Sequence, residues 1–120
     1  MRVMIFVKAT EKSEKGFVRT PETIKMMEEM GKFNDELIKA GIMREGDCDG
    51  LQTSSHAKRV AFDGSDRAVI DGPFANPREL VAGFWLWTVK DMDEAVAWVK
   101  RCPNPMQEPS EIEIRPIEQV

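Results

Sequence analysis

The stretch Ala82-Gly83-Phe84-Trp85-Leu86-Trp87-Thr88-Val89-Lys90 is rich in aromatic and β-branched residues, contains no proline, and reads as a strand. Phe84 and Leu86 point to one face and Trp85 and Trp87 to the other, so both faces are apolar and both must be kept from water. Arg2 to Lys8 (RVMIFVK) has the same character, with Val3, Ile5 and Val7 on one parity and Met4 and Phe6 on the other. Two strands of this kind predict a sheet covered on both sides.

The cover on one side is legible in the helical segments. Thr20-Pro21-Glu22 is a helix start: a hydroxyl N-cap, a proline where no amide donor is needed, and an acid in the first turn. Met26, Met30, Phe33 and Leu37 recur at helical spacing, flanked by Met27 and Ile38, and Gly41 supplies a left-handed end. Gly31 lies inside this helix, where glycine costs about 1 kcal/mol relative to alanine, and close packing against the sheet is the expected reason. Asp91-Met92-Asp93-Glu94 opens a second helix that runs to about Arg101, with Met92, Ala95, Val96 and Val99 inward, until Pro103 and Pro105 stop it.

Between and beyond these elements the chain reads as further strands and loops. Residues 9 to 19 are polar and form a connection, and residues 42 to 55 form a loop. His56 to Asp63 and Arg67 to Asp71 are two short strands joined by Gly64-Ser65, a hairpin signal. Glu111 to Ile117 alternates charged residues with Ile112, Ile114 and Ile117, as a strand with one wet face near a sheet edge does. The order β-α-β-β-β-α-β predicts a single α+β domain over residues 1–120: a ferredoxin-like sandwich, an antiparallel sheet with two helices on one face and one extra hairpin strand. Two helices cover only one face. A second copy packed sheet to sheet would cover the other, so a homodimer is expected.

Composition narrows the function classes. A formal net charge of −4, with Lys and Arg scattered, argues against a nucleic-acid partner. The apolar run Val3 to Val7 is too short for a membrane span or a signal peptide. Two cysteines without metal-ligand spacing, Cys48 and Cys102, point to reduced thiols and a cytoplasmic protein. Asp47, Asp49 and Gly50 echo a calcium loop but lack its remaining ligands, and no phosphate loop, dinucleotide fingerprint or nucleophile elbow is present. No metal and no cofactor is therefore expected.

The residues that could carry chemistry lie in Asp71-Gly72-Pro73-Phe74. As a turn, Gly takes a conformation that other residues cannot, Pro fixes φ, and Phe74 anchors the loop. As a site, the same residues hold a carboxylate beside aromatic surface, where desolvation would make Asp71 a usable acid or base. His56 is the only histidine and hence the only imidazole available. It neighbours Ser54 and Ser55, but catalytic partners seldom lie next to each other in sequence. The candidate catalytic residues are thus Asp71 and His56. The candidate ligand-binding residues are Gly72, Pro73, Phe74, Trp85 and Trp87, around a small molecule in a cleft near Asp71.

Taken together, Asp71-Gly72-Pro73-Phe74-Ala75, Ala82-Gly83-Phe84-Trp85-Leu86-Trp87, Met92-Asp93-Glu94-Ala95 and Arg101-Cys102-Pro103-Asn104-Pro105 resemble the YCII-related proteins of the DGPF-motif group. The likeness runs in collinear order to Glu111-Ile112-Glu113-Ile114-Arg115. It implies a dimeric α/β-barrel fold. Wider relatives are thought to use a His-Asp pair, the histidine near the start of the first helix. Here that stretch reads Arg19-Thr20-Pro21-Glu22, so the pair is not carried over, and Asp71 is the position nearest to the proposed acid. A likeness of such proteins to segments associated with sigma factors leaves a regulatory role open. Two readings stand side by side: a binding or regulatory module, and a metal-independent enzyme using Asp71 on a small substrate.

Overall fold

In a computed structural model, which describes residues 1–119, two helices pack on one face of a four-stranded antiparallel sheet. The strands are β1 (Arg2–Lys8), β2 (Cys48–Gly50), β5 (Val81–Thr88) and β6 (Ile112–Pro116), in the order β2-β5-β1-β6. The helices are α1 (Pro21–Lys39) and α2 (Met92–Arg101). This is the expected ferredoxin-like α+β arrangement, with one difference in how it is built. The hairpin strands β3 (Lys58–Asp63) and β4 (Asp66–Asp71) do not join the sheet but form a two-stranded sheet of their own. The strand beside β5 is instead the three-residue β2, inside the stretch expected to be loop. Nothing in Cys48-Asp49-Gly50 favours a strand locally; pairing with Trp85, Phe84 and Gly83 imposes it.

Period-two alternation decides what each strand buries. Val3, Ile5, Val7, Trp85 and Trp87 lie on the helix side, all under 7% exposed. Phe33 of α1 stands edge-on at the centre of this layer, 6.4 Å from Trp85 and 6.3 Å from both Trp87 and Trp98. The Trp85 indole nitrogen donates to Asn34 Oδ1 at 2.8 Å, so its polar edge is satisfied inside the core. The opposite face presents Met4, Phe6, Phe84 and Leu86, each half-buried and covered by neither helix.

Helix ends follow the chemistry of their residues. Thr23 N donates to Thr20 Oγ1 and Thr20 N to Thr23 Oγ1, a reciprocal box that fixes where α1 begins. Gly41 ends it at φ 75°. Asp91 Oδ1 accepts from Glu94 N at 2.9 Å and caps α2. Arg101, stacked 4.4 Å over Trp98, pairs with Glu36 and ties the two helices together.

Three expectations about the helices need correcting. Met27, Ile38 and Val96 are exposed, and Trp98 rather than Val96 takes the inward position on α2. The apolar stripes are narrower than a count of apolar residues implies, because only the turns facing the Trp85–Trp87 layer touch the sheet. Gly31 is exposed too, and a Cβ added there would meet nothing within 4 Å. Close packing does not explain this glycine. Gly31→Ala should therefore stabilise the protein, by up to about 1 kcal/mol from helix propensity alone. Urea denaturation would decide it, and a loss of stability would place an unseen contact at Gly31.

Candidate functional site

The Asp71–Phe74 turn is held by residues far from it in sequence. After α1 and β2 the chain makes a short 3-10 turn, Ser54–His56, with Ser54 only 6% exposed. The backbone amide of Ser54 donates to Glu14 Oε2 at 3.0 Å, and its hydroxyl bonds the other carboxylate oxygen of Glu14. The same hydroxyl accepts from Phe74 N at 3.0 Å. Glu14, Ser54 and Phe74 thus form one chain of bonds linking three loops. Glu14 itself is set by a small 3-10 turn, Ser13–Lys15, which the reciprocal Thr10–Ser13 bonds close. The segment expected to be a plain connection is a built support.

Gly72 sits where this support leaves no room. Its amide donates to Ala57 O at 2.9 Å, and a Cβ at this position would lie 1.8 Å from the carbonyl oxygen of Ser54. The glycine is required by close backbone approach, with φ in the ordinary negative range. The Gly72–Pro73 peptide bond is cis.

Around this frame the charged side chains face solvent. Asp71 pairs with Lys58, its cross-strand partner, and the two side chains are 72% and 67% exposed. The Arg59 guanidinium lies 3.7 Å from the centre of the Phe74 ring. His56, expected at a strand start, closes the 3-10 turn instead and is exposed. The bond from Gly72 N to Ala57 O brings His56 and Asp71 to neighbouring positions, without a hydrogen bond between their side chains.

The structure thus gathers Asp71, Gly72 and Phe74 with Ser54, Glu14, Lys58 and Arg59, while Pro73 projects to solvent. It separates off Trp85 and Trp87, whose rings pack with Phe33 inside the core. Of the residues that sequence reading missed, Glu14 left no signal, because its partner is 40 residues away. Lys58 could have been found, since the hairpin register places it opposite Asp71.

The two thiols lie elsewhere and are chemically quiet. Burial pushes the Cys102 thiol up to about 12 at the C-terminal end of α2. Cys48 is raised as well, first by burial and then by the carboxylates of Asp49 and Asp47. Both therefore disfavour the thiolate that nucleophilic chemistry needs. Among the described residues no group of three or more His, Cys, Asp or Glu side chains is placed to hold a metal ion, and no helix is long and apolar enough to cross a membrane.

Comparison with known proteins gives a relative and a family. An uncharacterised protein of Rhizobium meliloti (strain 1021) is 25% identical over 96 residues, which is 80% of this chain and 76% of that protein. The sequence pattern of the YCII-related domain matches residues 1–120. A pattern that spans both helices, all six strands and the Glu14–Ser54–Phe74 support leaves no part of the chain outside it, and the protein belongs to the YCII-related domain family.

Proposed function

We propose that this protein is a homodimeric binding module that takes a small polar molecule against the Asp71–Phe74 turn, in the cytoplasm and without acid–base turnover. The observation that carries this reading is the use made of Asp71. General acid–base work calls for a carboxyl removed from water beside apolar surface. Asp71 is instead largely in solvent and ion-paired across the hairpin. Beneath it, Ala57 O holds Gly72 and the Glu14–Ser54 pair holds Phe74, so Asp71, Lys58, Arg59 and His56 are offered on a rigid base. A rigid base with exposed charges suits recognition, because little entropy is lost when a ligand is bound. The homodimer is supported by the apolar outer face of the sheet, Met4, Phe6, Phe84 and Leu86, which this chain leaves without a helix.

The alternative, a metal-independent enzyme using Asp71, has one observation on its side: the nearness of His56 across the Ala57–Gly72 bond. Asp71→Asn separates the two. Loss of an exposed pair costs at most about 1 kcal/mol, so the fold should survive. In amide NMR titrations with small carboxylates, amides and phosphates, a binder should shift Gly72, Phe74 and Arg59, with affinity for the Asn variant altered by about tenfold or less. A panel that moves none of these residues sinks the binding reading. Turnover that falls by about 10² in the variant, with binding retained, would establish the enzyme instead.

A further inference from the structure

The loop that joins α1 to β2 is clipped to β5 at two points. Thr88 N donates to Ile42 O at 2.8 Å and Leu86 N to Asp47 O at 2.8 Å. Residues Met43 to Gly46 therefore stand opposite the single residue Trp87, and the loop bows away from the strand. A bond from Asp47 N to Arg44 O at 3.2 Å closes the bow. Beside it lies a cavity of about 260 Å³, with Arg2, Met43, Arg44, Asp47, Leu86 and Thr88 among its walls. Arg2 and Thr88 are the terminal cross-strand pair of the β1–β5 ladder, so the cavity opens at the end of the sheet. The Asp71–Phe74 turn hangs instead on Ser54, just past the Leu51–Ala82 bond at the start of β5.

The charges here are unspent. Among the described residues the ion pairs are Lys58–Asp71, Arg101–Glu36 and Arg115–Glu113, and Arg2, Arg44 and Asp47 enter none of them. Arg59, Arg67 and Arg101 each lie over an aromatic ring, whereas the two arginines at the cavity stack on none. Two guanidiniums against one carboxylate leave a single positive charge in excess.

We propose that this cavity binds a small monocarboxylate with a hydroxyl or ammonium group beside its carboxyl, a 2-hydroxy or 2-amino acid. Arg2 and Arg44 take the carboxylate, because the planar guanidinium fork matches it with paired hydrogen bonds. Asp47 accepts from the neighbouring donor, which gives a purpose to a carboxylate that would otherwise repel the ligand. A phosphate dianion would set a second negative charge against Asp47, and a monoanion balances the walls. Thr88 adds a hydroxyl, and Met43 and Leu86 offer apolar surface to a short side chain. The volume falls just below the roughly 300–1,000 Å³ of pockets that take drug-sized ligands, as a smaller molecule requires.

Amide NMR titration of the full chain with lactate, alanine and propionate tests the site. Lactate or alanine should shift Arg44, Leu86 and Thr88 saturably at roughly millimolar concentration, the affinity open to a ligand of about six heavy atoms. Propionate, which keeps the carboxylate and lacks the donor, should bind at least about tenfold more weakly. This selectivity is read on the wild type and needs no variant. Arg2 and Arg44 are exposed, so Arg2→Gln and Arg44→Gln should fold, and each should weaken binding about tenfold or more. Arg78→Gln removes the same charge from an exposed position elsewhere and should leave affinity within about twofold. Asp47→Asn should bring propionate to within about threefold of lactate. Amides of Arg44, Leu86 and Thr88 that stay still with all three acids up to about 50 mM overturn the proposal. So does a loss in Arg78→Gln equal to that in Arg44→Gln, which would mark general charge attraction. Propionate binding as tightly as lactate and alanine to the wild type overturns the ligand class and the part given to Asp47.

Discussion

Phe33→Ala is expected to cost about 3–5 kcal/mol, the loss typical of a large aromatic removed from a packed core. Phe33 is 4% exposed and stands edge-on to Trp85, Trp87 and Trp98, so the truncation leaves a void lined by three rigid rings. Those rings are fixed from elsewhere: Trp85 by its bond to Asn34, Trp98 by the Arg101 stack. They cannot collapse into the space, which is the condition for the upper end of the range. Against a total stability of roughly 5–15 kcal/mol such a loss is severe, with a fall in Tm on the order of 10–20 °C. Thermal unfolding followed by tryptophan emission would read both the stability and the rearranged aromatic layer. Phe33→Leu, which refills most of the volume, should cost far less. A Phe33→Ala loss below about 1 kcal/mol would mean that the two helices do not meet the sheet through this ring.

Gly72→Ala is expected to be the most damaging change outside the core. The added methyl would sit 1.8 Å from Ser54 O and 3.2 Å from Ala57 O, both backbone atoms that no rotamer can move aside. The turn must lift, which breaks the Gly72–Ala57 and Phe74–Ser54 hydrogen bonds together. Overpacking of this kind costs about 1–3 kcal/mol, and the two lost bonds place the change at the upper end. The signature is local as well as global. In hydrogen exchange the amides of Gly72 and Phe74 should lose protection while those of β1 and β5 keep theirs. Gly16→Ala makes a useful comparison, since its Cβ would meet nothing within 4 Å and only its φ of 101° opposes the change. Unaltered stability in Gly72→Ala, with Phe74 still protected, would show that the turn is not seated on Ser54.

The sequence by itself determined the elements whose signals are local. Thr20-Pro21 placed the start of α1 to the residue, Gly41 its end, and Asp91 the start of α2, because a cap is a contact within one turn of chain. Alternation in β1 and β5 separated Trp85 and Trp87 from Phe84 and Leu86, because the side-chain period of a strand is two whatever lies above it. Periodicity could say that both faces were apolar, but not which of them received the helices. Only the tertiary structure put Trp85 and Trp87 inward with Phe33, and so removed them from the neighbourhood of Asp71. It also made a strand of Cys48–Gly50 by pairing, detached the hairpin from the sheet, and turned Gly31 to solvent. For the candidate site, Asp71 to Phe74 was legible as a turn from its own four residues. The support beneath it was not, because Glu14, Ser54 and Phe74 meet through bonds that span 40 and 20 residues, and contacts of that range leave no periodic or neighbouring trace in one chain.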